Sequence, residues 1–167
     1  MDSQQLSLGV VSSLIAETFG DPGQRTFRLR AEARAGTVSL WLEKEQLRMV
    51  GGAVEEVLRR VAEPRGNDPA SDSEGGFSGD LEVRVGALAV GYDKVRLGFT
   101  IEATEFTSPF DLESIELIAR RRDFERLAEQ IGEIVAAGRP RCPLCGTPLE
   151  GEPHFCPPSN GHAHTSS

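Results

Sequence analysis

From position 27 to position 42 apolar and polar residues alternate with period two, the spacing of a half-buried strand. Phe27, Leu29, Ala31 and Ala33 interleave with Arg28, Arg30, Glu32 and Arg34, and Val38, Leu40 and Leu42 interleave with Ser39, Trp41 and Glu43. A turn at Ala35-Gly36 joins the two runs into a hairpin with every apolar residue on one face. That turn sets Ala33 opposite Val38, Ala31 opposite Leu40 and Leu29 opposite Leu42. On the polar face it sets Arg28 by Glu43, Arg30 by Trp41 and Thr26 by Glu45. Residues 8–19 form a weaker strand candidate. Asp21-Pro22-Gly23-Gln24 reads as a turn with Pro and Gly in the type II positions. Residues 45–62 switch to helical spacing through Leu47, Val50, Val54, Val57, Leu58 and Val61.

A second block repeats the theme. Val83 and Val85, then Leu88 and Val90, alternate with a change of phase near Gly86-Ala87 that signals a bulge. After a turn at Tyr92-Asp93-Lys94, Val95, Leu97, Phe99 and Ile101 alternate again. Residues 115–118 read as a short buried strand. A helix over 121–137 carries Phe124, Leu127, Ile131, Ile134 and Val135 on one face, and Gly138 ends it. A shift of 77 positions lays Val38-Ser39-Leu40-Trp41 on Ile115-Glu116-Leu117-Ile118. The same shift lays the apolar residues of the first helix on those of the second. The pattern predicts an α+β fold, a mostly antiparallel sheet with two helices packed on it, built from a repeated strand–strand–strand–helix unit.

The chain has 167 residues, enough for one such domain and a small appendage. The expected division is an α+β domain over 1–138, with a mobile Gly/Ser/Asp/Pro-rich loop over 64–79. A zinc-binding knuckle over 139–162 and a disordered end over 163–167 follow. A net charge of -8 speaks against a phosphate-binding surface for nucleic acid. No apolar run is long enough to span a membrane. The first residues carry no secretory pattern, so a reducing cytoplasm is the expected compartment.

All three cysteines and all three histidines fall between positions 142 and 164. Cys142 and Cys145 bracket two residues, a spacing that lets one tight turn bring both sulfurs to one metal. Cys156 supplies a third ligand. His154 or His162 completes a tetrahedral set, with His164 a weaker candidate. Four good ligands suit a closed structural site, so the expected cofactor is one structural Zn2+. Redox chemistry or a disulfide fits less well, because one thiol is left over and no helix follows the first pair.

Two clusters outside the tail could bind something. Gln24 and Arg25 follow the Pro-Gly turn, and Glu43-Lys44-Glu45-Gln46 opens the first helix. The hairpin brings these groups together as a salt-bridged corner or a polar binding site. Trp41, the single tryptophan, lies on the polar face, either as packing against an arginine or as an anchor for a partner. Arg120, Arg121, Arg122 and Arg126 cluster at the start of the second helix. They read as a solvated run or, at a helix N-terminus, as an anion site. No Ser-His, Cys-His or glycine-rich phosphate motif is present.

Three stretches carry a resemblance to a known family. They are Gly20-Asp21-Pro22-Gly23-Gln24-Arg25-Thr26-Phe27, Leu42-Glu43-Lys44-Glu45-Gln46, and a tail pattern. The tail pattern includes Ala137-Gly138-Arg139-Pro140, Cys142-Pro143-Leu144-Cys145-Gly146, Pro148-Leu149, His154-Phe155-Cys156-Pro157 and Asn160-Gly161. On these motifs the chain resembles a mainly actinobacterial family, domain of unknown function 3090, along nearly its whole length. The resemblance implies no activity, and it favours His154 over His162 as the fourth ligand. The chain departs from the family at Pro158, where a basic residue is common, which weakens an anion-binding role for the tail.

The expectation is therefore a cytoplasmic zinc-binding protein that acts through contact with a protein partner, without catalysis. The alternative is an enzyme with a polar active site near Gln24, Arg25 and Glu43. Nucleic-acid binding through the zinc module is a further alternative that the charge disfavours.

Overall fold

The computed structural model describes residues 5–21, 23–61, 69, 79–106 and 114–137. Its elements run β1 (Gln5–Phe19), β2 (Thr26–Ala33), β3 (Gly36–Leu42), α1 (Lys44–Arg60), β4 (Gly79–Asp93), β5 (Gly98–Glu105), β6 (Ser114–Ala119) and α2 (Arg121–Ala137). Each half is a three-stranded antiparallel meander followed by a helix. The halves meet at two parallel seams, β3 with β4 and β6 with β1. The six strands thereby close into a barrel. Closure pairs every strand on both sides and removes the free edges an open sheet would carry.

The repeat extends to irregularities. The β1–β2 register slips between Val11 and Ser13, and the β4–β5 register slips between Val85 and Ala87. Val11 pairs Ala33 as Val85 pairs Glu105, and Phe27 pairs Leu42 as Phe99 pairs Ala119. Each bulge therefore sits at the same step of its half. The phase change read at Gly86-Ala87 is the second of them.

One contiguous core holds the fold. Leu29, Val38 and Leu40 from the first half are fully buried, as are Ile101, Ala103 and Ala119 from the second. Leu47 and Val54 of α1, and Phe124 and Leu127 of α2, are also fully buried and belong to the same cluster. Those helical residues recur seven positions apart in α1 and three apart in α2, which puts one apolar stripe of each helix inward. The two helices pack closely: a β-carbon at Gly51 would lie 2.7 Å from Ile131 Cγ2. Gln130 Oε1 accepts from the Ala16 amide at 2.9 Å and ties α2 to β1. Gly36 is required at the first seam, where a β-carbon would lie 1.9 Å from the Gly79 carbonyl oxygen.

Several expectations are corrected. The β2–β3 hairpin turns at Arg34-Ala35, not Ala35-Gly36, so Ala31 faces Val38 and Arg28 faces Trp41. The slip is two residues, which leaves every side chain on its expected face. Val95 lies in a turn and is 92% exposed, so β5 begins at Gly98.

The sheet is a barrel with two parallel seams, and no zinc module belongs to it. Among the described residues no group of three or more His, Cys, Asp or Glu side chains could hold a metal ion. The physical reason is plain: the barrel and helices contain no Cys or His, and the soft donors all sit at position 142 or beyond. The expected knuckle over 139–162, with Cys142, Cys145, His154, Cys156 and His162, lies outside the described residues, as do the end over 163–167 expected to be disordered and nearly all of the expected loop over 64–79. The zinc cofactor, the metal-binding description and the zinc-based function are therefore set aside. Among the described residues no helix is long and apolar enough to cross a membrane.

A candidate ligand pocket at the β3–α1 corner

The row of residues that leads to the candidate site crosses four strands on the outer face of the barrel. Glu17 of β1 pairs Arg28 of β2, Arg28 pairs Trp41 of β3, and Trp41 pairs Arg84 of β4. Their sequence neighbours Phe27, Leu40, Leu42, Val83 and Val85 are buried, so strand alternation turns this row outward.

Arg28 is fixed in that row. Its guanidinium binds the Glu17 carboxylate through Nε at 2.7 Å and also through Nη2. It lies over the Phe19 ring at 4.8 Å and the Trp41 ring at 5.3 Å. Phe19 and Trp41 are themselves 5.7 Å apart. Trp41 is thus braced from the β2 side by an arginine and a second aromatic ring.

On its other side Trp41 borders a cavity of about 540 Å³. Leu42 and Thr26 form part of the wall at the ends of β3 and β2. Glu43 and Gln46 come from the start of α1, and Arg84, Val85 and Gly86 from the bulged part of β4. Phe106, just past β5, is 68% exposed and also borders the cavity. The Arg84 guanidinium lies 5.7 Å from the Phe106 ring. Phe106 donates its amide to the Arg84 carbonyl at 2.9 Å, which fixes the backbone between them.

The start of α1 is locked to the barrel by one side chain. Glu43 is the N-cap. Its amide donates to Gln46 Oε1 at 2.8 Å, and Gln46 Nε2 donates to the Val85 carbonyl at 3.0 Å. Gln46 therefore satisfies an orphan donor at the helix end and a bulge carbonyl together. The stretch Leu42-Glu43-Lys44-Glu45-Gln46 encodes this joint. Gln46 has both ends of its side-chain amide occupied, and the Glu43 carboxylate closes the capping box by accepting from the Gln46 backbone amide. Among the described lining residues, Arg84 and the remaining lone pairs of Glu43 are the charged groups that can meet a ligand.

Of the residues expected at the polar corner, only some border the cavity. Trp41 and Glu43 line the cavity; Gln24 and Arg25 do not. Gln24 instead closes its turn by donating its amide to Asp21 at 2.9 Å, with Gly23 at φ 91. The anticipated pairing of Arg28 with Glu43 is replaced by Arg28 with Glu17, and Glu45 pairs Arg48. Arg84 and Phe106 were missed because the parallel seam that delivers them joins strands far apart in sequence. In the basic cluster, Arg121 is occupied by the carbonyls of Leu58 and Val61, by Glu125 and by the Phe99 ring.

The family model described as a protein of unknown function (DUF3090) matches residues 7–156. No curated protein and no solved structure matches the chain.

Proposed function

Because the chain belongs to the DUF3090 family, from which no activity is inherited, we propose from geometry alone that it binds a small molecule in the β3–α1 corner. The observation that carries this reading is the cavity of about 540 Å³ lined by Trp41, Phe106, Arg84 and Glu43. That volume is in the range of small-molecule sites, which combine apolar or aromatic walls with a few convergent polar groups. The site stands on strand ends and a helix start, so its first residues are held before a ligand arrives.

The corner also has room for chemistry. Among the described lining residues Glu43 is the one carboxylate, the group placed to move a proton on the ligand. Glu43→Gln separates the two roles: binding without catalysis survives the change in kind, while turnover does not.

The test uses the single tryptophan. A chemically mixed library is screened against the purified protein by Trp41 fluorescence and by melting temperature. The expected result is a saturable binder whose protection is lost in Arg84→Ala and reduced in Trp41→Phe. No binder of any class, or binders indifferent to both substitutions, would sink the reading.

A further inference from the structure

We infer that the ligand of this cavity is a planar heteroaromatic molecule carrying an anionic group, such as a nucleoside monophosphate; this rests on the ligand-site reading above. The repeat within the fold supplies an internal control. Trp41 opposite Arg84 at the first seam corresponds to Ile118 opposite Val10 at the second. Phe106, one residue past β5, corresponds to Arg34, one residue past β2. Ile118 is 1% exposed yet lies outside the core cluster, on the outer face near Gly98 and Pro69, whereas Trp41 is only half-buried. The same closure of the barrel is thus achieved without Trp, Arg or Phe at these three places. Their presence at one corner alone is not a demand of the fold.

The three side chains have complementary recognition chemistry. Trp41 and Phe106 offer aromatic surface on which a flat ring stacks with little regard to its substituents. Trp41 is already ordered by Arg28 and Phe19, which lowers the entropy lost on binding. Arg84 makes no ion pair among the described residues; its one described partner is the Phe106 ring. A guanidinium in that state presents its planar fork to a phosphate or carboxylate. Glu43 accepts from a ring N–H or a hydroxyl. A purely apolar ligand would cover Arg84 and Glu43 without pairing them, which is costly. A cationic ligand would meet Arg84 with the wrong sign.

Matched probes test this. Adenosine monophosphate is compared with adenosine, and nicotinate with nicotinamide, by Trp41 fluorescence and calorimetry at fixed low salt. The expected result is that a charged member binds about tenfold or more tightly than its neutral counterpart, and that Arg84→Gln removes the preference. Arg84 is exposed, so the variant should fold, and its melting curve checks this. The inference is overturned if both neutral members bind as well as the charged ones, or if Arg84→Gln keeps the preference. Binding of none of the four also overturns it, as does binding of single-stranded oligonucleotides alone. A neutral or cationic binder from the mixed library, with all four probes silent, defeats this inference and leaves the pocket reading standing. No binder at all defeats both.

Discussion

Arg121 Nη1 donates to the carbonyl of Val61 at 2.9 Å, so the first residue of one helix caps the last turn of the other. Arg121 Nη2 does the same for Leu58 at 3.0 Å. These carbonyls have no partner within their own helix. Charge-assisted hydrogen bonds of this kind are worth about 1.5–3 kcal/mol each before losses to solvent. Arg121→Ala should therefore lower unfolding free energy by about 2 kcal/mol, and Arg121→Lys should recover only part of it. Denaturant melts decide the point; an alanine variant as stable as the parent would show that water replaces the cap.

Two adjacent glycines in α1 should respond in opposite directions. Gly52 faces open space, so Gly52→Ala should stabilise by about 1 kcal/mol through helix propensity. Gly51 meets Ile131, which is 2% exposed and has little freedom to withdraw. Gly51→Ala should destabilise by about 1 kcal/mol or more, because overpacking outweighs the same propensity gain. Adding Ile131→Ala should relieve the clash, visible as a favourable coupling energy in a double-mutant cycle.

Asp93 organises the β4–β5 turn. Its Oδ1 accepts from the amides of Val95 at 2.8 Å and Arg96 at 3.0 Å, and its Oδ2 accepts from Arg96 Nε at 2.6 Å. The Arg96 amide first, then the Arg96 guanidinium and the Val95 amide, hold its carboxyl below the usual 3.8. With the folded value below the unfolded one, the stabilisation is complete above about 3.8 and is lost as pH falls through the lowered value. Asp93→Asn should lower the melting temperature at neutral pH, and the gap to wild type should close below pH 3.8. A constant gap across that range would assign the effect to turn geometry instead.

Asp123 occupies in α2 the place that Gln46 occupies in α1, yet it cannot make the same joint. Gln46 offers both a donor and an acceptor; the Asp123 carboxylate offers only acceptors. Asp123 is 5% exposed, and its Oδ2 has no hydrogen-bond partner among the described residues. A buried polar atom left unpaired costs about 1–3 kcal/mol. Asp123→Asn replaces a buried charged group by a neutral amide that is cheaper to take out of water, and should raise stability by about 1 kcal/mol in a chemical denaturation series. A loss of stability would mean that the carboxylate itself is needed at that helix start.

The local half of this structure was legible in the chain. Period-two runs marked β2, β3 and β5, and the phase change at Gly86-Ala87 marked the bulge in β4. The apolar spacing of Phe124, Leu127 and Ile131 placed α2 over Arg121–Ala137. The alignment of Trp41 on Ile118 disclosed the repeat. What could not be read were the seams. Parallel pairing of β3 with β4 follows no turn signal, because a helix and a long connection intervene, so barrel closure was invisible and Arg84 was never set beside Trp41. The hairpin slip has a different origin: Ala35 and Gly36 look like turn residues, but Gly36 is small because Gly79 passes against it. The cysteine pattern drew attention to a segment outside the described residues.

The two parallel seams bear on individuality as well as closure. Two separate copies of a three-strand, one-helix chain could complete the same barrel as a symmetric dimer, but such a dimer would carry one set of corner residues twice. Whatever suited a ligand at one corner would have to serve as packing at the other. Joining both units in one chain lifts that identity: tryptophan at one seam and isoleucine at its counterpart each answer to a single task. The covalent link thus leaves the two corners of this barrel free to differ.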